Sequence, residues 1–332
     1  MQVPETFQSL LKRHHAWLAC RTPRPVVAAY ESDFAKNADA FAAFGKANRG
    51  TAILLQLGYE HETPALAEQL AGTVAKFLGD VPDARVVVLC NSPGECASLG
   101  AHGVETRLVN QNCFLDERRY RPLASKERPY DAAYLARLTP CKRHELVPEE
   151  LAPKLLLLGC SVVVYSRERP YAEMVYRRYA AARTVGSFRG ASLSEWLAKA
   201  KCGLALSDRE GACFASSEYF LCGLPVVDTP SLGGRDVLYP GEFVRRVEAT
   251  PEAVGEGVAH WAAHPQDPRD VRAAWLEKAE AHREAYRELM RELTGRTPPR
   301  PAHKLGLRTP HPDRLHTLAI EAYLWAKGWM VR

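Results

Sequence analysis

Short aliphatic runs alternate along most of this chain with stretches whose apolar positions recur every three to four residues. PVVAAY, TAILLQ, ARVVVLC, DAAYLA, KLLLLG, SVVVYS, GLALS and LPVVDT read as strands, because brief apolar runs bounded by turn or charged residues have strand length rather than helix length. Between them, Pro64 to Gly79, Pro170 to Ala182 and Ser192 to Lys201 carry helical periodicity, the last opening on the Ser192/Glu195 spacing of a capping box. Strands that are apolar on both faces, with helices between them, predict parallel sheets covered by helices. In such sheets ligands gather at the carboxyl ends of strands, where loops lead into helices.

The rhythm breaks at DERRYRPLASKERPYD, a polar run between the strand TRLVN and a strand beginning at Tyr130. A domain boundary is expected there, giving residues 1–122 as a short N-terminal domain and 123–295 as a second. Asp267 to Leu293 reads as one long charged helix with Glu-to-Lys and Glu-to-Arg pairs at helical spacing. Residues 296–332 read as a basic, Pro-rich linker followed by a closing helix over Leu315 to Trp329.

Composition narrows the class. With 332 residues, 46% of them hydrophobic, the chain can bury a full core, and its length favours two domains. A formal charge of +5 from 44 basic and 39 acidic residues admits anionic ligands without pointing to nucleic acid. The nine cysteines are odd in number and form no Cys-x-x-Cys pair, which fits a reduced cytosolic setting and small core residues rather than nucleophiles. No run approaches the roughly 18 apolar residues of a membrane span. The expectation is a cytoplasmic protein, free to touch a membrane surface as a peripheral protein.

Candidate chemistry lies in two loops. In EGACFASSE, Glu210 and Glu218 flank small residues, Gly211 permits a tight turn after the strand Gly203 to Leu206, and a helix starts near Phe214 and ends at Cys222-Gly223. Amides at a helix start have no intrahelical partner and the helix dipole favours an anion, so this is a phosphate site by geometry, and Gly211, Ala212 and Cys213 let a ligand approach the backbone. In YLARLTPCKRHEL, Arg137 and Lys142 flank the Pro140 turn, so both cations can project toward one space and neutralise a diphosphate. No Asp-x-Asp or His/Cys cluster at metal-ligand spacing occurs in either loop, so no metal and no cofactor are expected.

These residues resemble the nucleotide-sugar glycosyltransferases of family 4, a retaining family with the two-domain GT-B fold. Arg137 and Lys142 match its Arg and Lys five residues apart, Glu210 and Glu218 its Glu-x7-Glu motif, and Cys222-Gly223, Pro225-Val226-Val227, Thr229 and Gly233-Gly234 its continuation. The match runs from Asn112 to about Val247, with Ala136 where the family has Gly and Asp236 where it has Glu. The resemblance implies an α/β fold of two Rossmann-like domains with parallel sheets facing a central cleft, the N-terminal one short. It also implies a retaining, metal-independent transferase using a nucleotide-diphosphate sugar of UDP or GDP type. Arg137, Lys142 and Glu210 would then be catalytic; Glu218, Gly211, Ala212, Cys213, Phe214 and Ala215 would bind the donor, with Glu210 on the transferred sugar, Glu218 on the ribose and the amides near Phe214 on the phosphates.

Base recognition is expected from backbone in the loop Gly186 to Ser192. The acceptor stays open among glycan, lipid, small molecule, protein and nucleic acid, and a homo-oligomer is compatible with the sequence. Blander readings stand beside these. Lys142-Arg143-His144 can be ordinary surface cations. Glu60-His61-Glu62 follows a strand end, where His61 is a candidate sugar or acceptor contact, although a solvated helix-capping loop is the simpler reading. A degenerate, non-catalytic partner of another transferase, or an epimerase or phosphorylase on the same fold, are the alternative functions.

Overall fold

A computed structural model of the chain describes residues 1–21, 24–124, 127–159, 169–185 and 193–296. The expected strand SVVVYS, the loop Gly186 to Ser192, the linker beyond Arg296 and the closing helix lie outside the described residues.

The first half is a five-stranded sheet in sequential order: β1 (Trp17–Cys20), β2 (Val26–Tyr30), β3 (Ala52–Gln56), β4 (Arg85–Cys90) and β5 (Thr106–Leu108). Helices α1 (Glu5–Lys12), α2 (Glu31–Lys36), α3 (Ala38–Ala47), α4 (Pro64–Asp80) and α5 (Pro93–Ala101) accompany it. β3 is buried along its whole length, as expected of a parallel strand covered on both faces. The α5 helix begins where its composition says it should: Pro93 sits at the first position, and Ser92 and Glu95 form a reciprocal capping box.

The second half is a six-stranded, all-parallel sheet of β6 (Tyr130–Leu135), β7 (Leu155–Leu158), β8 (Arg183–Val185), β9 (Ala200–Ala205), β10 (Val226–Asp228) and β11 (Val244–Arg246), in the spatial order β11-β10-β9-β6-β7-β8. Helices α6 (Arg169–Arg178), α7 (Leu193–Leu197), α8 (Phe214–Leu221), α9 (Pro251–Ala263) and α10 (Pro268–Thr294) accompany it. The chain winds outward from β6 through β7 to β8, then returns to β9 and winds the other way. The point where β6 and β9 lie side by side is therefore a topological switch point, and in open α/β sheets ligands bind outside the carboxyl ends of the strands at such a point.

α10 joins the two halves. Its Trp275, Ala279, Tyr286, Leu289 and Met290 belong to one core with Val26, Leu54 and Leu89 of the first sheet and Phe220 and Leu221 of α8. Glu292 near its end takes Arg85 at 2.5 Å and also Arg107. Arg272 near its start donates to three carbonyls, Tyr120 at 2.5 Å, Glu117 at 2.6 Å and Leu221 at 2.7 Å. That arginine holds the crossover segment between the sheets against α8.

Three local expectations change. β1 runs antiparallel to β2, so the first sheet is not wholly parallel. The helix expected over Ser192 to Lys201 ends at Leu197 among the described residues, because Ala200 and Cys202 pair with Tyr130 and Ala132 and strand pairing outweighs local helical periodicity. The helix expected over Pro170 to Ala182 spans Arg169–Arg178. No helix among the described residues is long and apolar enough to cross a membrane.

Candidate functional site

The loops that leave β6 and β9 at the switch point carry the residues singled out from the sequence. After β6 the chain makes a 3-10 turn at Pro140–Lys142, and the Lys142 ammonium donates to Glu210 Oε1. Both side chains are mostly enclosed, at 13% and 15% exposure. Burial opposes the charge of Lys142, but Cys213 and the Glu210 carboxylate outweigh it and hold the ammonium above the ordinary lysine range. Arg137, by contrast, is exposed and has no side-chain partner among the described residues. The two cations leave one loop, but only Lys142 turns in to Glu210.

Arg143 is no loose surface cation. Its backbone is left-handed at φ 50, which turns the guanidinium inward to Leu206 O at 2.6 Å and Thr229 Oγ1 at 2.9 Å, at the ends of β9 and β10. His144 is fully buried, and burial together with nearby Lys142 lowers its pKa to about 3, leaving a neutral ring.

Cys213, the residue before α8, is also left-handed at φ 53, and a left-handed residue followed by a right-handed helix aims successive amides to one side. Among the described residues no acceptor faces the Cys213 or Phe214 N–H. Gly211 and Ala212 are buried, Ala215 is half-buried and Phe214 is exposed. Glu218 lies on the second turn of α8, half-buried. Burial raises its pKa, opposed by the Tyr120 hydroxyl and by Arg119, both on the crossover segment.

The first half supplies the opposite wall. A Cβ on Gly211 would lie 2.8 Å from Gly58 O, one on Gly234 2.4 Å from Asn91 Cβ, and one on Gly233 3.0 Å from Glu60 Cβ. These glycines are small because another part of the chain lies against them. Glu60 and His61 are buried at 3% and 6% exposure, so the expected solvated loop is an enclosed one. Glu60 accepts from Thr63 N at 3.1 Å and Thr63 Oγ1 at 2.7 Å just before α4, but the helix start itself has no side-chain cap. The His61 ring meets Tyr59 O at 3.0 Å, and burial lowers its pKa.

Two acids beneath this wall have a testable consequence. Burial raises the pKa of Glu31 to about 7 and of Glu95 to about 8, although Gly58 N donates to the first at 2.9 Å and Asn91 N to the second at 2.6 Å. The unfolded chain releases these protons near pH 4 to 5 and the folded chain only near 7 to 8, so their contribution to stability is full at acid pH and lost as pH rises through 7 to 8. Each group still protonated in the fold costs about 1.4 kcal/mol of stability per pH unit. The urea midpoint is expected to drop between pH 7 and 8.5, and the drop to shrink in Glu95→Gln. An equal drop in both proteins would reject the assignment.

Two residues of the site escaped the sequence reading. Arg235, 2% exposed, pairs with Asp228 at 2.8 Å and donates to Ser207 O at 2.6 Å and to Thr229 O, tying together the loops after β9 and β10 beneath Glu210. Its signal was available as a cation set directly after the double glycine. Asn112, 1% exposed, reaches from the first half to Ala212 O at 2.7 Å, Cys213 O at 3.1 Å and Ser217 Oγ at 2.9 Å. The stretch that resembles the family opens at Asn112, but nothing local to the segment says which backbone its side chain will meet.

No family profile matches this sequence, and no curated protein matches it. Among solved structures, the chain is similar to sucrose-phosphate synthase from Thermosynechococcus elongatus, at 18% identity and TM-score 0.59 over 79% of this chain and 78% of that one. It is similar to Anabaena HepE in complex with UDP, at 14% identity and TM-score 0.58 over 80% and 78% of the two chains. It is also similar to an S. aureus TarM variant in complex with Fondaparinux, alpha-GlcNAc-glycerol and UDP, at 15% identity and TM-score 0.58 over 80% of this chain and 55% of that one. Likeness at such identities speaks to the fold, which is GT-B: two Rossmann-like halves with mostly parallel sheets.

Proposed function

We propose that this chain is a retaining, metal-independent glycosyltransferase of the family 4 type, moving a sugar from a UDP- or GDP-type donor to an acceptor hydroxyl. The observation that carries the reading is the meeting of Lys142 and Glu210 at the switch point, beside the unbonded amides of Cys213 and Phe214. HepE and TarM in complex with UDP, on the same fold, support UDP as the first nucleotide to test. Residues 1–122 would form the acceptor domain and 123–295 the donor domain, with α10 packed across both.

The acceptor oxygen bonds to the anomeric carbon on the face from which the nucleotide leaves. The bond from that carbon to the phosphate oxygen breaks, and the departing phosphate takes the acceptor proton. The residues' work is to stabilise charge growing on the leaving diphosphate, which falls to Lys142, Arg137 and the two amides. Glu210 holds the transferred sugar in register and Glu218 holds the ribose.

Calorimetry with free UDP and GDP separates the two glutamates. Glu218→Gln weakens contacts to ribose hydroxyls and is expected to raise the dissociation constant about tenfold or more. Glu210→Gln frees Lys142 for the phosphates and is expected to leave diphosphate binding unchanged or tighter, while depressing turnover of the intact donor. Equal weakening in both variants, or none in Glu218→Gln, would overturn the reading.

A further inference from the structure

We propose that Asn112 is a positioning residue of the diphosphate site: from the first half of the chain it aims the amides of Cys213 and Phe214 at the donor's phosphates. The inference rests on the donor-site reading above and adds a residue to it.

Peptide planarity makes the argument. In a trans peptide the carbonyl of one residue and the N–H of the next point in opposite directions. Asn112 Nδ2 holds the carbonyls of Ala212 at 2.7 Å and Cys213 at 3.1 Å on its own side. The N–H groups of Cys213 and Phe214, which share those two peptide planes, must face away from Asn112. Among the described residues neither has an acceptor. Cys213 is held at φ 53, a conformation that costs a residue with a Cβ about 1–2 kcal/mol, so the loop needs an outside restraint to keep it.

The orientation of Asn112 is itself fixed. Its Oδ1 is buried with no donor facing it, while Asn110 Oδ1 takes its backbone N–H at 3.0 Å. Rotating the amide by half a turn would set Oδ1 against two carbonyls, so the orphaned oxygen is the lesser cost. Asn110 adds a second tie, donating to Gly234 O at 2.7 Å and Asn91 O at 2.9 Å. The anion site of the second half is thus shaped by side chains of the first.

The test uses inorganic pyrophosphate, UDP and uridine as probes, by calorimetry on the full chain and on Asn112→Ala and Asn112→Asp. Asn112→Ala releases the two carbonyls. Asn112→Asp turns a carboxylate toward them and adds charge beside the anion. Both are expected to weaken pyrophosphate and UDP about tenfold or more and to leave uridine within about twofold, so the ratio of UDP to uridine affinity falls. A general loosening of the fold would weaken uridine equally.

Pyrophosphate titrated into unsubstituted chain labelled with 15N-Phe and 15N-Cys gives a readout that needs no variant to fold, with the Phe214 and Cys213 amides expected to shift most. If the chain binds pyrophosphate and UDP but neither amide moves, or the variants keep the parent's ratio of UDP to uridine affinity, the role of Asn112 is overturned and the donor-site reading stands. If the unsubstituted chain binds none of pyrophosphate, UDP and GDP, both fall together.

Discussion

Lys142→Ala is expected to lower glycosyl transfer and donor hydrolysis about a hundredfold or more, because removing a preorganised charge from a developing oxyanion costs on this order. The residue sits where β6 meets β9, at 13% exposure, and the opposition of burial to its charge is outweighed by Cys213 and Glu210. On the proposed mechanism it meets the leaving diphosphate already ionised, after exchanging its contact with Glu210 for the phosphates. The same substitution leaves Glu210 half-enclosed without its cation, so a modest fall in melting temperature is expected beside the kinetic one. Arg137→Ala separates the two effects, since Arg137 is exposed and has no side-chain partner among the described residues: turnover is expected to fall with no change in melting. Steady-state kinetics with a radiolabelled donor, alongside thermal melts, make the comparison. Near-normal turnover in Lys142→Ala would reject its place in the reaction.

Gly233→Ala is expected to be the most damaging methyl group added to any of the described glycines. The residue lies at φ 91, and a Cβ there would stand 1.8 Å from the carbonyl oxygen of Glu210, which is backbone and cannot swing aside. Strain at such a position together with a forced backbone shift amounts to about 3 kcal/mol or more, or roughly 4 °C or more in melting temperature for a chain of 332 residues. The displaced atom belongs to Glu210, so diphosphate binding and transfer should fail with the fold. Gly241→Ala is the control: nothing lies within 4 Å of its added Cβ, and its melting temperature should match the parent's. A Gly233→Ala protein as stable as Gly241→Ala would show that the loop after β10 yields, contrary to the packing described.

These two substitutions also show why EGACFASSE is built of small residues. Read alone, the stretch leaves room for a ligand to approach the backbone. In the fold, part of that room is filled by the chain itself: Gly211 lies against Gly58 O, and the Gly211 carbonyl takes Gly234 N at 2.7 Å. Among the described residues the amides of Cys213 and Phe214 have no acceptor, so the stretch serves internal packing at its start and leaves at its end the amides proposed to hold an anion.

The sequence by itself determined most of the described strands, their parallel arrangement in the second half and the places of the two loops proposed to carry chemistry. DAAYLA, KLLLLG, GLALS and LPVVDT became β6, β7, β9 and β10, and the loops holding Lys142 and Glu210 leave adjacent strands. Those features are local: an apolar run, a helix start or a glycine turn is written within a few neighbouring residues. Among the short edge strands, β8 and β11 carry too few apolar positions for such a signal, and β1, apolar throughout, is only four residues long.

Only the tertiary structure decided what faces what. It turned Lys142 to Glu210 while leaving Arg137 in solvent, buried His61 in a loop that reads as polar, placed Arg235 under two loops, and set Asn112 against Ala212, 100 positions away. It also brought Glu292 to Arg85 across 207 positions, fastening the last described helix to the first sheet. Periodicity constrains which side of an element is buried and says nothing about which distant backbone will be packed there. That partner is fixed by the order in which strands assemble and by the loops that bring the two sheets together.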